Sequence, residues 1–117
     1  MEKLKNLFKA KAEAQSAELK DLIKDHGAKK IGEVQLAQIF QGMRGITGMV
    51  YETSLLDANE GIRFRGFSIP ELQAKLPKAK GGNEPLPEGL FYLMLSGEIP
   101  SEAEVSELSA EWSKRAP

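Results

Sequence analysis

Apolar side chains recur with a helical period in the first third of the chain. Over residues 3–26 they return every three or four positions between lysines and glutamates, which predicts one long amphipathic helix that ends before Gly27. The same spacing at Leu36, Ile39, Phe40 and Met43 predicts a shorter helix over 34–43.

The pattern changes to a strand-like one after residue 48. The run from Ile62 to Arg65 alternates apolar and charged side chains, as a half-buried strand does. Residues 57–61 have the composition of a turn, and the residues before them favour a strand. A small β-hairpin is therefore predicted over about 49–66.

Two S-x-x-E sequences mark helix starts in the second half. In this motif the serine and the glutamate satisfy each other's backbone amides at the first turn. One motif opens a helix over about 69–76, which ends before Pro77, and the other opens a helix over about 102–115. Between them, a helix over about 87–96 begins at Pro87 and ends before Gly97.

The helix over 87–96 is apolar on all sides, because every residue from Leu90 to Leu95 is apolar. Such a helix is normally buried all round. The short elements around it offer too little surface to cover it. We therefore expect it to pack inside something larger than 117 residues, formed by more chain or by a partner.

Composition removes several classes of function. The chain carries 16 basic and 17 acidic residues, so its net charge of −1 provides no field for nucleic acid or an anionic membrane surface. The absence of cysteine excludes a disulfide framework and thiolate metal sites, and the single histidine excludes any site needing two within this chain. The first 20 residues contain three glutamates and no arginine, so they are interpreted as mature protein rather than as a transit peptide.

Arg44 is the most informative candidate for binding. It lies in the sequence G-M-R-G at 42–45, where glycine allows close backbone approach and a guanidinium suits phosphate. The spacing matches neither a dinucleotide fingerprint nor a P-loop. The residues alone favour the alternative, a surface arginine in a connector between a helix and a strand.

The other basic residues also have two interpretations. Arg63 and Arg65, on one face of the predicted second strand, suit either binding of an anion or a structural role, in which they face solvent or pair across the hairpin with Glu52. Three lysines around Gly81-Gly82 suit either a phosphate-binding loop or a solvated, mobile turn. His26 suits either a base or metal ligand, or an exposed histidine at a helix C-terminus, where the helix dipole favours a cation. The structural alternative is favoured in each case; the lysines are Lys75, Lys78 and Lys80.

Residues 42–95 closely resemble the N-terminal part of citrate synthase of the mitochondrial type. Several blocks carry the resemblance in order and at matching spacing: G-M-R-G (42–45), V-Y-E-T-S (50–54), E-G-I-R-F-R-G (60–66), S-I-P-E (68–71), L-P-K-A-K-G-G (76–82) and E-P-L-P-E-G-L-F (84–91). The sequence E-W-S-K-R-A at 111–116 is similar to the family as well.

The resemblance implies a mainly α, multi-helical fold with one small β-hairpin, in which residues 1–117 are an incomplete N-terminal segment of the large domain. It implies an acyltransferase of the tricarboxylic acid cycle that condenses acetyl-CoA with oxaloacetate to citrate and CoA. The family works as a homodimer in the mitochondrial matrix. Acetyl-CoA is a substrate there, and no tightly bound cofactor is implied.

The resemblance also implies which residues take part. The family's catalytic histidines and aspartate lie beyond the matched stretch, so no catalytic residue is assigned here and the chain alone is expected to be inactive. Arg44 matches an arginine that contacts CoA phosphates in the family. The alternative is a short, non-catalytic paralogue that acts as a structural or interaction module.

Overall fold

The computed structural model describes residues 1–46, 48 and 54–116. These residues form helices joined by one small antiparallel sheet, in agreement with the predicted mainly α fold. The helices are α1 (Glu2–His26), α2 (Leu36–Phe40), α3 (Ile69–Lys75), α4 (Pro87–Ser96) and α5 (Glu102–Arg115), and the strands are β1 (Ser54–Asp57), β2 (Gly61–Phe64) and β3 (Phe67–Ser68).

The long first helix is confirmed, and it ends at His26 as its sequence predicts. The reason for glycine at position 27 is steric. Gly27 keeps an ordinary right-handed φ of −61°, but a Cβ there would collide with the carbonyl oxygen of Ile23. Glycine is therefore needed at this helix end because the Ile23 carbonyl leaves no space for a Cβ, and not because the backbone is left-handed.

The second helix is shorter than predicted, since α2 covers 36–40 rather than 34–43. At its start Gln35 and Gln38 form a reciprocal cap, in which the Gln35 amide donates to Gln38 Oε1 over 2.8 Å. At its end the backbone turns at Gly42 and Met43, whose φ values are +72° and +61°. The apolar spacing continues to Met43, but the helix does not.

The predicted hairpin is present as β1 and β2, which pair antiparallel with Ser54 opposite Phe64. The Asp57 carboxylate stabilises the turn because its Oδ1 accepts from the amides of Asn59 and Glu60 at 2.8 and 2.9 Å. Residues 49–53, the start of the predicted hairpin, lie outside the described residues.

The predicted end of the hairpin is wrong. The second strand stops at Phe64, and Arg65 and Gly66 form a two-residue turn with φ values of +50° and +87°. Two positive φ values are typical of the type I′ turn that suits the twist of a hairpin. The turn leads into β3, a strand that the sequence did not predict, so Arg63 and Arg65 do not share a strand face.

The three later helices match their predicted bounds to within one residue. α3 ends at Lys75 rather than Leu76, because Leu76 adopts an extended conformation before Pro77. Both capping boxes form: the Ser68 amide donates to Glu71 Oε2 over 2.8 Å, and the Ser101 amide donates to Glu104 Oε2 over 2.9 Å.

The loop between α3 and α4 is exposed over residues 78–84 and is also held by internal hydrogen bonds. The Leu86 amide donates to the Pro77 carbonyl over 3.0 Å, and the Gly82 amide donates to the Ala79 carbonyl over 2.8 Å. Lys78 and Pro85 pair across the loop as an isolated antiparallel bridge. This closed loop brings the starts of α4 and α5 to the end of α3.

The core lies where α4 meets the other elements. Leu72, Leu76 and Leu93 are buried together, and Phe64 and Phe67 of the sheet pack against them. On the other side of α4, Tyr92 is buried, as are Val105 and Leu108 of α5 and Leu4 of α1. Helix α4 is therefore the central element of the folded part.

Helix α4 is nevertheless not covered all round. Tyr92, Leu93 and Ser96 are buried, whereas Phe91 remains 41% exposed beside the Trp112 ring, at a centroid distance of 5.2 Å. The short elements thus cover one face of the helix and leave another partly open, as its all-apolar sequence predicts.

The described chain is elongated. Its radius of gyration is 19.0 Å, against about 13 Å for a compact domain of about 100 residues. The cause is α1: its first third packs on α4, while every residue from Ala12 to His26 is exposed. Within the described ranges, no helix has the length and hydropathy needed to span a bilayer.

We expect Leu93→Ala to lower the free energy of unfolding by about 2–5 kcal/mol, because it opens a cavity at a fully buried position. Leu19→Ala is the matched control, since Leu19 is helical but half exposed, and its effect should stay within about 0.5 kcal/mol. Urea unfolding followed by circular dichroism measures both. Equal effects of the two variants would contradict this location of the core.

Candidate functional site

Arg44 lies in the turn that follows α2, with its side chain exposed. The turn is held by Gln38: the Met43 amide donates to the Gln38 carbonyl over 2.8 Å, and Gln38 Nε2 donates to the Arg44 carbonyl over 3.4 Å. The backbone of Arg44 is thus tied to the helix, while its side chain is exposed.

The turn around Arg44 needs glycine for its conformation. Gly42 and Gly45 both have positive φ, at +72° and +76°, a region that residues with a Cβ rarely adopt. Space is not the constraint at Gly45, where a Cβ would make an ordinary 3.5 Å contact with Gln38 Nε2. The G-M-R-G sequence therefore builds a tight turn that presents one arginine.

The contacts of the Arg44 guanidinium differ from those of Arg63 and Arg65. Among the described residues the Arg44 guanidinium makes no hydrogen bond or ion pair. Arg63 pairs with Glu60, donates to the Gly66 carbonyl over 2.8 Å and lies 3.6 Å from Glu71.

Arg65 is also occupied by a structural contact. Its Nε and Nη2 both donate to the Met94 carbonyl near the C-terminal end of α4, at 3.0 and 2.6 Å. Both guanidiniums therefore make structural contacts, with partners from the sheet turns, α3 and α4 rather than across the hairpin. Glu52, the partner that the sequence suggests, lies outside the described residues.

The three lysines border an open groove of about 1010 Å³ between the end of α3, the loop and the start of α5. Lys75 lies over the Phe67 ring with its Nζ 4.6 Å from the centroid, and Glu102 adds an opposite charge to the lining. Lys75, Lys78 and Lys80 are therefore best described as lysines on a solvated surface, as their composition predicts.

The remaining candidates add no further chemistry. His26 is exposed at the end of α1, where the helix dipole favours a cation. Across the ranges that the structure covers, no three His, Cys, Asp or Glu side chains are grouped to hold a metal. Arg44 thus stands as the candidate binding residue of the described chain.

A polar junction that the sequence did not reveal joins α1, α4 and α5 around Glu104. Lys3 Nζ lies 2.6 Å from Glu104 Oε1, and the Tyr92 hydroxyl donates to the same oxygen over 3.0 Å. Hydrogen bonds from Lys3 and then from Ser101 lower the pKa of Glu104 to about 2. Burial, followed by the contact with Glu104, raises the pKa of Tyr92 to about 12. Tyr92 therefore stays protonated and donates to the carboxylate.

We expect Glu104→Gln to lower the free energy of unfolding by about 1–2 kcal/mol at pH 7, because it removes a charge-assisted contact that is partly shielded from water. The pKa of Glu104 lies below its ordinary 4.5, so the stabilisation is complete above about pH 4.5 and is lost as the pH falls towards 2. Urea unfolding at several pH values measures the difference.

Glu102→Gln serves as the matched control for this measurement. Glu102 lies in the same first turn of α5 and shares its interaction with the helix dipole, but it is exposed. An equal loss of stability in both variants at every pH would show that the dipole, and not the junction, accounts for the effect.

Comparison with known proteins shows which family this chain matches. A sequence model described as "Citrate synthase, C-terminal domain" matches residues 42–117, about two thirds of the chain, and this segment includes Arg44. The assignment of the chain to the N-terminal part of the large domain stays a prediction.

Curated relatives match over almost the whole chain. Mitochondrial citrate synthase of Aspergillus niger is 57% identical over 113 residues, which are 97% of this chain and 24% of that protein. The corresponding protein of Emericella nidulans is 55% identical, and a probable mitochondrial citrate synthase of Glossina morsitans morsitans is 54% identical, with the same coverage. The chain thus spans about a quarter of the length of the curated relatives it matches.

Proposed function

Because this chain belongs to the citrate synthase family, we propose that it forms part of an enzyme that condenses acetyl-CoA with oxaloacetate to give citrate and free CoA. The observation that carries the proposal is the identity of 54–57% to curated citrate synthases over 97% of the chain. Their names also support a mitochondrial localisation.

The described structure suggests two contributions of this segment. The first is a scaffold, in which capped helices and the small sheet fix α4 as a rigid centre. The second is a binding residue, Arg44, for the phosphates of CoA. No catalytic residue is assigned to this segment, and we place the catalytic groups in the three quarters of the relatives' length that this chain does not match.

The case for Arg44 rests on a guanidinium that has no partner among the residues the structure describes. The side chain is exposed and, within the described ranges, unpaired, whereas the guanidiniums of Arg63 and Arg65 are held by protein oxygens. A planar guanidinium forms two parallel hydrogen bonds to a phosphate, and CoA carries several phosphate groups. The glycines beside Arg44 leave room for a bulky ligand near the backbone.

A chimera tests the proposal. Residues of this chain replace the matching 113-residue stretch of the Aspergillus niger protein, and the release of free thiol from acetyl-CoA is followed in the presence of oxaloacetate. We expect turnover that depends on both substrates. A chimera that folds but releases thiol no faster than the enzyme-free solution would overturn the proposal.

A further inference from the structure

Two residues other than glycine have a left-handed backbone among those that the structure describes. They are Met43, with a φ of +61°, and Arg65, with a φ of +50°. A residue with a Cβ is strained in this conformation because the Cβ comes too close to the backbone, whereas glycine adopts it freely. A long side chain at either position therefore needs a reason.

The side chain of Arg65 provides a reason at its own position. Its guanidinium donates twice to the Met94 carbonyl, at 3.0 and 2.6 Å, and glycine could not make this contact. Met43, by contrast, lies in the turn after α2 with its apolar side chain 62% exposed. Burial among the described residues therefore does not offset the backbone strain at Met43.

The position of Met43 points to a ligand instead. It directly precedes Arg44, and consecutive Cα atoms are only about 3.8 Å apart. The turn is also open on the other side of Met43, because a Cβ added at Gly42 would meet none of the described atoms within 4 Å. A ligand held by the Arg44 guanidinium can therefore contact the Met43 side chain.

We propose that Met43 is a further binding residue for CoA, whose thioether packs on the adenine ring while Arg44 binds the neighbouring phosphates. The inference rests on the proposed function, through which CoA becomes the ligand of Arg44. In CoA the adenine ring and a phosphate group are attached to the same ribose, so the two lie close together. The thioether of methionine is polarisable and unbranched, and it makes favourable contacts with aromatic rings. The strained turn thus presents one side chain to the base and the next to the phosphates.

Met43→Gly tests the contact, because glycine keeps the left-handed turn and removes the side chain. The ligand is adenosine 3′,5′-bisphosphate, which contains the adenine ring and phosphates of CoA, and its Kd for the chimera is measured by equilibrium titration. We expect Met43→Gly to raise this Kd by about three- to tenfold. Met43→Leu, which keeps the apolar volume, should retain most of the affinity.

Inorganic pyrophosphate separates the contact with the ring from a general disturbance of the turn. It carries phosphates but no ring, so Met43→Gly should leave its Kd unchanged, whereas Arg44→Ala should weaken the binding of both ligands. Equal weakening of both ligands by Met43→Gly would show that glycine loosens the turn around Arg44, and it would overturn the inference. An unchanged Kd for the nucleotide in Met43→Gly would also overturn it, as would a folded chimera that does not bind the nucleotide.

Urea unfolding of the same variant excludes a role of Met43 in packing. Glycine relieves the left-handed strain, so the unfolding midpoint of Met43→Gly should be unchanged or raised. A lowered midpoint would show that the Met43 side chain packs against protein in the chimera, and it would contradict the contact with CoA.

The binding and activity measurements fail separately. A chimera that binds the nucleotide through Met43 but forms no citrate would contradict the proposed function and leave the binding role of Met43 standing. A chimera that forms citrate, while Met43→Gly binds the nucleotide as tightly as before, would contradict the role of Met43 alone.

Discussion

Replacing Arg44 with alanine in the chimera is expected to raise the KM for acetyl-CoA by roughly ten- to a hundredfold. A charge-assisted contact between a guanidinium and a phosphate, partly shielded from water, is worth about 1.5–3 kcal/mol, and about 1.4 kcal/mol corresponds to a factor of ten. The KM for oxaloacetate should hardly change, because Arg44 is proposed to contact only CoA. Steady-state kinetics with each substrate varied in turn provides both constants.

Two further variants make this prediction specific to Arg44. Arg44→Lys should restore acetyl-CoA binding in part, since lysine keeps the charge but loses the paired donors of the guanidinium. Arg115→Ala removes the same charge from an exposed position at the end of α5 and should leave both constants unchanged. An unchanged KM for acetyl-CoA in Arg44→Ala would return Arg44 to the alternative of a surface arginine in a connector.

The isolated chain is expected to form no citrate at all. It contains one histidine, which is exposed at the end of α1, and no catalytic residue is assigned among the described residues. The family resemblance places the two catalytic histidines and the aspartate outside the matched stretch. Thiol release from acetyl-CoA and oxaloacetate by the purified chain should therefore equal that of the enzyme-free solution.

Turnover by the isolated chain would show that this segment has chemistry of its own. The chain is purified by an affinity tag with a denaturing wash, which removes host citrate synthase, and is then refolded. Any thiol release above that of the enzyme-free solution then comes from this chain. The circular dichroism of the refolded sample, dominated by α1 and α5, verifies that the helices have reformed before the assay.

The sequence located those helices that carry their own boundary signals. The capping boxes at Ser68 and Ser101 act through side chains within one turn, so their geometry is encoded locally and the structure reproduces it. Gly97, with its left-handed φ of +75°, ends α4 by the same kind of local rule. Boundaries of this type need no knowledge of the tertiary structure.

Other features depend on contacts that a linear pattern does not contain. Arg65 continues the alternation of the second strand, but its guanidinium binds the carbonyl of Met94, 29 positions away, and its backbone enters a turn with Gly66. The apolar spacing of α2 likewise extends to Met43, although the backbone leaves the helix before it. The spacing of apolar residues predicts which side chains share a helix or strand face, but it does not predict where the backbone leaves that helix or strand.

The candidate site and the junction at Glu104 also differ in how much of each is encoded locally in the sequence. Sequence chemistry singled out Arg44 because glycines surround it, and the structure explains those glycines through the positive φ of Gly42 and Gly45. The role of Arg44 towards CoA came from the family resemblance alone and stays a prediction. The junction at Glu104 was missed because Lys3 and Glu104 are 101 positions apart and their pairing arises only when α1 packs on α4 and α5.

The rate of thiol release, measured side by side for the chimera and the isolated chain, tests the central claim most directly. If this chain is a segment of a citrate synthase, turnover that requires both acetyl-CoA and oxaloacetate appears in the chimera and is absent from the chain alone. A folded chimera that shows only the rate of the enzyme-free solution, or an isolated chain that forms citrate, would contradict the account.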